Sequence, residues 1–311
     1  GLCHLKHLPE AVRVYRLWPA NGRMGLDPRP RQAAMPPADD RALRLAVAVL
    51  PFECDADTAD GGIVGELVAD QLIAALSRGS HLRITSRLSS RAVLGHGFGT
   101  AEIARRLQVA YVVSGRLVVR GHRLSLMAEL AAGDTEAVVW ADHALFDARQ
   151  LLSDGESFAP QMAADICNAI LNAQLAQVRQ RPLPSLQSYS LLLGGIALMH
   201  RFSAQDFSRA KACLDALAER APRHAEPHAW MARWHVFRAV QGWTNDAAAE
   251  RTQARDLCRR ALDLDPDSAL ALTIAGSVET SLNRDIDQAQ TLYRDALRVD
   301  PNEPLAWVLL G

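Results

Sequence analysis

The alternation of apolar and polar positions changes character three times along the 311 residues. Residues 1–17 (GLCHLKHLPEAVRVYRL) place two short mixed runs, Leu2 to Leu8 and Ala11 to Leu17, around Pro9-Glu10, predicting a strand pair without a core of its own. Residues 18–43 carry Pro19, Pro28, Pro30, Pro36 and Pro37 with almost no apolar period, the pattern of an extended linker. LRLAVAVLPFE, residues 43–53, then reads as a buried strand stopped by Pro51.

A helical period follows in GGIVGELVADQLIAALSRG, with Ile63, Leu67, Leu72, Ile73 and Leu76 on one side and Gly79 as the stop. HLRITSRLSS reads as a strand, TAEIARRLQV as a short helix capped by Thr100, and residues 110–145 as three strands turning at RGHR and AAGDTE. A longer helix is expected over about 147–178, before RQRPLP. The alternation predicts an α+β body of mixed sheet and helices over residues 44–180.

Residues 185–311 are helical and repetitive. ALDLDPDSA at 261–269 recurs 35 residues later as ALRVDPNEP, close to the period of about 34 of a tetratricopeptide repeat. Small residues recur in register: Ala254 and Ala261 in one second helix, Ala289 and Ala296 in the next. Trp307 to Gly311 supplies W-x-x-L-G, and Ala275-Gly276 is the matching pair one repeat earlier. A weaker copy ends at LAERAPRHAE, with Ala210 and Leu217 in its second helix and an insertion around RAVQGWTNDAAAE. The final LAWVLLG is apolar where a solenoid end needs a polar cap, so truncation is expected at both ends.

Charge narrows the function classes. With 34 Lys and Arg against 35 Asp and Glu, the formal net charge of -1 gives no electrostatic case for binding nucleic acid or an anionic membrane. No apolar run approaches the roughly 18 residues of a membrane helix, although a span upstream of Gly1 stays open. The five dispersed cysteines lack metal-site spacing and read as reduced thiols, mostly in cores, of a cytoplasmic protein.

Catalytic and ligand motifs are weak throughout. Gly95-His96-Gly97-Phe98-Gly99 precedes a helix but has Thr100 where a dinucleotide fingerprint has its third glycine, and lacks the G-K-[ST] of a P-loop. CDADTADGGIVGE sets Asp55, Asp57 and Glu66 at positions 1, 3 and 12 of a calcium loop, yet Ala59 and Asp60 break positions 5 and 6. His224 and His228 could share a helix face, while Pro227 between them argues for a turn. No catalytic, cofactor or metal residue is assigned. Trp230, Trp234 and Trp243, with Phe237, form an aromatic cluster that fills a helix core or serves as a partner-binding patch; under the second reading Arg233, Arg238, Arg255 and Arg259 supply polar contacts.

LAVAVLPFE, VADQLIAALSR, TSRLSS, AEIARRLQVAYVVSGRLVVRGHRLSLMAEL and VVWADHALFD together resemble the domain related to the amino-terminal domain of TolB and to FlgO. In bacteria that domain often precedes tetratricopeptide repeats. QGWTNDAAAERTQARDLCRRALDLDP is similar to the repeat region after it in bacterial class III adenylate/guanylate cyclases, and HLKHLPEAVRVYRL to the last strands of their catalytic domain. The resemblance covers nearly the whole chain except the linker. It implies a non-catalytic regulatory region that binds a protein or peptide partner. The upstream cyclase domain it implies, dimeric and using Mg or Mn, has metal and substrate residues that map nowhere in residues 1–311. A second reading is an accessory interaction module of a transcriptional regulator, since similar pairs of domains also follow winged-helix domains; a third is a free-standing assembly factor.

Overall fold

The computed structural model describes residues 43–55, 61–79, 81–94, 97–147, 158–201 and 203–311, with two short strands near the start. Those strands, β1 (Leu2–Cys3) and β2 (Val12–Arg13), pair antiparallel with Leu2 opposite Arg13 and Cys3 opposite Val12. They belong to a separate compact unit, residues 1–37, from everything below. The linker over residues 18–42, together with Asp57, Gly95 and His96, lies outside the described residues.

The second unit opens with a six-stranded mixed sheet. Its strands are β3 (Leu45–Val49), β4 (Glu53–Asp55), β5 (Leu82–Ile84), β6 (Tyr111–Arg120), β7 (Arg123–Ala132) and β8 (Val138–Asp147). β3 lies between β5 and β6, parallel to both; β6, β7 and β8 form an antiparallel meander. Pro51 cannot donate to a ladder, so the β3 line breaks there: Tyr111 to Val113 of β6 pair with β3, and Arg116 to Val118 pair with β4.

Every residue of β3 is buried because both sheet faces are covered at this strand. Leu45, Val47 and Val49 point into a core with α1 (Gly61–Leu76) and α4 (Ala159–Gln180). Ala46 and Ala48 point the other way, against residues of or beside α2 (Arg87–Ala92) and α3 (Thr100–Leu107). Farther along the sheet only one face is covered. Leu124, Leu126, Ala128 and Leu130 of β7 are buried in alternation, and Met127 between them is 60% exposed.

Four elements differ from their sequence expectation. On α1 the buried stripe is Val68, Ala69, Leu72 and Leu76, whereas Ile63 and Leu67 are exposed: only the i, i+4, i+8 face meets the sheet. The segment HLRITSRLSS is strand only to Ile84; Ser86 then accepts from the Ser89 N–H and starts α2. Thr100 does not cap α3. Gly99 holds the cap position, and Glu136, from the β7–β8 turn, accepts from the Ala101 N–H at 2.8 Å, so the cap comes from 35 residues away. The long helix begins at Ala159, because the chain through Asp147 is still paired with β7.

Helix α4 serves two cores. Met162, Ala163, Ile166 and Ile170 pack on the sheet, and Leu175 and Val178 pack on α5 (Ser188–Met199) and α6 (Ala204–Arg220). Gly194 permits this approach, since a Cβ there would lie 2.2 Å from Val178 Cγ2. Arginines of α6 close the junction: Arg209 donates to the carbonyls of Val178 and Arg181, and Arg220 to those of Leu183 and Leu186. The sheet body and the first helices are thereby packed together.

Antiparallel helices complete the unit: α7 (Ala225–Val240), α8 (Ala247–Leu264), α9 (Ala269–Val278), α10 (Ile286–Val299) and α11 (Pro304–Leu310). α9 runs into a π turn, Glu279–Asn283. Ser203, Asp246, Ser268 and Asp285 cap α6, α8, α9 and α10 through their side chains. Ala254, Ala261, Ala289 and Ala296 are all buried, which is what the 35-residue recurrence needs for close helix approach. Pro227 occupies the first turn of α7 rather than a loop, where its missing N–H costs no hydrogen bond. The α+β body followed by an all-helical region agrees with the expected fold class.

Candidate functional site

The expected aromatic cluster divides in the structure. Trp234 and Trp243 meet Phe207 of α6, their rings 4.6 Å and 4.7 Å from its centroid, the first stacked and the second edge-on. Trp234 Nε1 donates to the Phe207 carbonyl at 2.9 Å, which fixes the indole between α6 and α7. Gly242, at φ +68°, supplies the left-handed residue that turns the chain so that Trp243 folds back. Together with Ala204, Ser208, Lys211 and Arg238, these rings line a pocket of about 350 Å³.

Two cations flank the Trp234 face: Lys211 Nζ at 5.8 Å and the Arg238 guanidinium carbon at 5.4 Å from the ring centroid. Lys211 pairs with Asp215, and Arg238 Nη1 donates to Glu250 Oε1 at 2.9 Å. Glu250 is buried on α8, and its other oxygen receives His235 Nδ1 at 2.6 Å. One carboxylate thus fixes both the cation at the pocket and the histidine behind it.

The other expected contact residues lie elsewhere. Trp230 is buried with its ring 6.3 Å from that of His81. Arg233 is buried between α7 and α9, over the Phe237 ring and donating to Ser277 Oγ at 3.0 Å. Arg255 and Arg259 are exposed on α8, Arg259 paired with Asp256, and neither lines the pocket. Phe207, Lys211 and Glu250 carried no sequence signal of their own, because they come from neighbouring helices and only packing brings them to the tryptophans.

Glu66 of the acidic segment binds Arg91 at 3.1 Å and Arg87 at 3.8 Å. His228 Nε2 lies 3.2 Å from Arg260 Nε, which donates to it. Among the described residues no three His, Cys, Asp or Glu side chains gather as metal ligands, and no helix is long and apolar enough to cross a membrane. Cys167, Cys213 and Cys258 are free thiols, and burial pushes the pKa values of the last two up to about 11 and about 12.

Burial lowers the pKa of both His228 and His235 below the ordinary 6.5, with the Arg260 charge adding to the effect at His228 and Glu250 opposing it at His235. The unfolded chain therefore binds protons first on acidification. Stability is expected to be fully present above 6.5 and to fall as the pH drops from there toward the lowered native values. Urea midpoints measured across that range check this; a midpoint that rises on acidification contradicts it.

The fold and site define a class: an α+β sheet body continued by antiparallel helix pairs, with an aromatic and cationic pocket between helices. Comparison with known proteins adds relatives. Residues 43–158 match the family described as HilA/YgeH-like transcriptional regulator, second domain. Putative adenylate cyclase 3 of Rhizobium meliloti (strain 1021) is 26% identical over 297 residues, 93% of this chain and 49% of that protein. The chain spans about half the length of this curated relative. Among solved structures, TolB from Acinetobacter baumannii is 15% identical with a TM-score of 0.28, covering 42% of this chain and 28% of that one. The lipoprotein GNA1162 from Neisseria meningitidis is 12% identical with a TM-score of 0.29, covering 41% and 94%.

Proposed function

We propose that this chain is a non-catalytic regulatory region of a bacterial class III adenylate or guanylate cyclase. Its TolB-like body and tetratricopeptide helix pairs bind a protein partner and bias a cyclase domain that precedes them. The carrying observation is the likeness to a putative adenylate cyclase, which extends over 93% of the chain and so includes both the sheet body and the helices. The pocket of Phe207, Trp234 and Trp243 beside Lys211 and Arg238 supports the binding role, since aromatic anchors and Arg dominate the energetics of protein interfaces. Trp230, Arg233, Arg255 and Arg259, the other contact residues expected from the sequence, lie outside this pocket. Divalent metal, Mg or Mn, belongs to the preceding domain in this reading, and the protein works in the cytoplasm.

Binding alters the cyclase only if the partner prefers one of its states. The Pro-rich segment between residues 18 and 43 weakens rigid transmission and favours recruitment. Cyclic-nucleotide production from ATP and GTP is expected from the reading frame extended upstream and not from residues 1–311 alone. If the extended protein also makes no product, the reading fails.

The match of residues 43–158 to a domain of HilA/YgeH-like regulators favours a second reading, an accessory interaction module of a transcriptional regulator. The two separate on what precedes the chain: paired metal-binding aspartates for a cyclase, a basic recognition helix for a regulator.

A further inference from the structure

A second pocket, of about 450 Å³, opens at the seam where the sheet body meets the helices. Its wall comes from α3 and the segment after it, the start of β6, the β7–β8 turn, the second half of α4 and the segment leading into α5; Arg105 of α3 also lines it, paired with Glu102. The buried group at its base is polar. Gln174 is 1% exposed, on the stretch of α4 where its contacts pass from the sheet to the helices. Its Nε2 donates to the Tyr111 hydroxyl at 2.9 Å, and its Oε1 has no hydrogen-bond partner. Turning the amide over would leave Nε2 unpaired instead, so either orientation presents one unsatisfied polar atom. Burying such an atom costs about 1–3 kcal/mol, which a ligand that hydrogen-bonds to it recovers. The Tyr111 hydroxyl accepts from Gln174 and keeps its own proton to donate.

Opposite charges stand at the rim. Asp134 in the β7–β8 turn is exposed and makes no hydrogen bond or ion pair among the described residues, yet it lies close enough to act electrostatically on both Tyr111 and Tyr189. Arg181 is anchored through its backbone, where its carbonyl accepts from Arg209 at 3.0 Å, while its guanidinium has no partner among the described residues. Burial is the main cause raising both tyrosine pKa values, so the hydroxyls stay neutral donors at physiological pH. The pocket therefore combines a carboxylate and a guanidinium that are unpaired among the described residues, a second arginine already paired with Glu102, and a neutral amide–phenol pair.

We propose that this seam pocket binds a free α-amino acid, its ammonium held by Gln174 Oε1 and Asp134 and its carboxylate by Arg181. A compact zwitterion satisfies both rim charges and the buried acceptor at once, and the volume accommodates it with its side chain. Because the wall is shared by the sheet body and the helices, occupancy stabilises their junction. This role does not depend on the activity of any preceding domain.

The test uses residues 1–311 and follows thermal unfolding with each of the twenty common L-amino acids at about 5 mM, with acetate and ethylamine as half-ligands. At least one amino acid is expected to raise Tm by about 3 °C or more, with smaller effects from either half-ligand. Asp134→Asn and Arg181→Met, both at exposed positions, are expected to abolish that rise while leaving the unliganded Tm and circular dichroism unchanged. The proposal is overturned if no amino acid stabilises the chain, if acetate alone does as well, or if the rise survives in both variants.

Discussion

Gly115→Ala is expected to destabilise the sheet body by about 3 kcal/mol or to leave it unfolded. Gly115 lies opposite Ala128 in the β6–β7 ladder, between the β6 residues that pair with β3 and those that pair with β4. A Cβ there would sit 2.0 Å from the Met127 carbonyl oxygen and 2.9 Å from Ala128 Cα. Both are backbone atoms of the adjacent strand, so no side-chain rotation relieves the clash. Relief requires β6 and β7 to part beside Leu117 and Leu126, which are fully buried. Gly79→Ala is the control: the nearest atom to its Cβ is the Leu76 carbonyl oxygen at 3.7 Å, so a change within about 0.5 kcal/mol is expected. Urea denaturation of the two variants decides the matter, and equal midpoints would show that the strands separate at little cost.

Glu250→Ala should cost about 3 kcal/mol, since it removes the one carboxylate shared by His235 and Arg238 and leaves the histidine N–H buried without an acceptor. The Arg238 side chain is 39% exposed and can turn to water, so most of the loss is assigned to the His235 side. Glu250→Gln retains an acceptor oxygen for His235 and should cost less, about 1 kcal/mol. A second readout separates electrostatics from packing. Burial lowers the His235 pKa and Glu250 opposes that shift, so neutralising the carboxylate should lower the pKa further. Proton NMR titration of the His235 ring in the Gln variant reads this directly; an unchanged or higher value would show that Glu250 does not set the charge environment of the histidine.

Much of the fold was legible because it is encoded locally. The valine-rich run at 45–49 is a buried strand, RGHR and AAGDTE mark the meander turns, and alanines recurring every 35 residues mark helix approach, all signals contained within one element or one repeat. The errors fall where a distant partner decides. Thr100 has the chemistry of a cap, yet Glu136 reaches α3 from another turn. Ile63 and Leu67 have the hydropathy of core residues, yet the sheet meets α1 along a narrower face.

The sites divide in the same way. Sequence singled out Trp230, Trp234 and Trp243 with Phe237 as a cluster and Arg233, Arg238, Arg255 and Arg259 as its contacts; of these only Trp234, Arg238 and Trp243 line the pocket. It could not supply Phe207 and Lys211, which α6 brings to the same pocket, or Glu250, which fixes Arg238 from α8. Gln174 and Tyr111 are 63 residues apart and unremarked in the sequence; only the docking of α4 on the sheet makes them a buried pair beside Asp134 and Arg181. The sequence by itself determined the main alternation of strands and helices and the 35-residue recurrence, though not β4 or α2, because backbone preference and hydrophobic period act over a few residues. The tertiary structure alone decided which polar groups lose water together, because that depends on contacts between segments far apart along the chain.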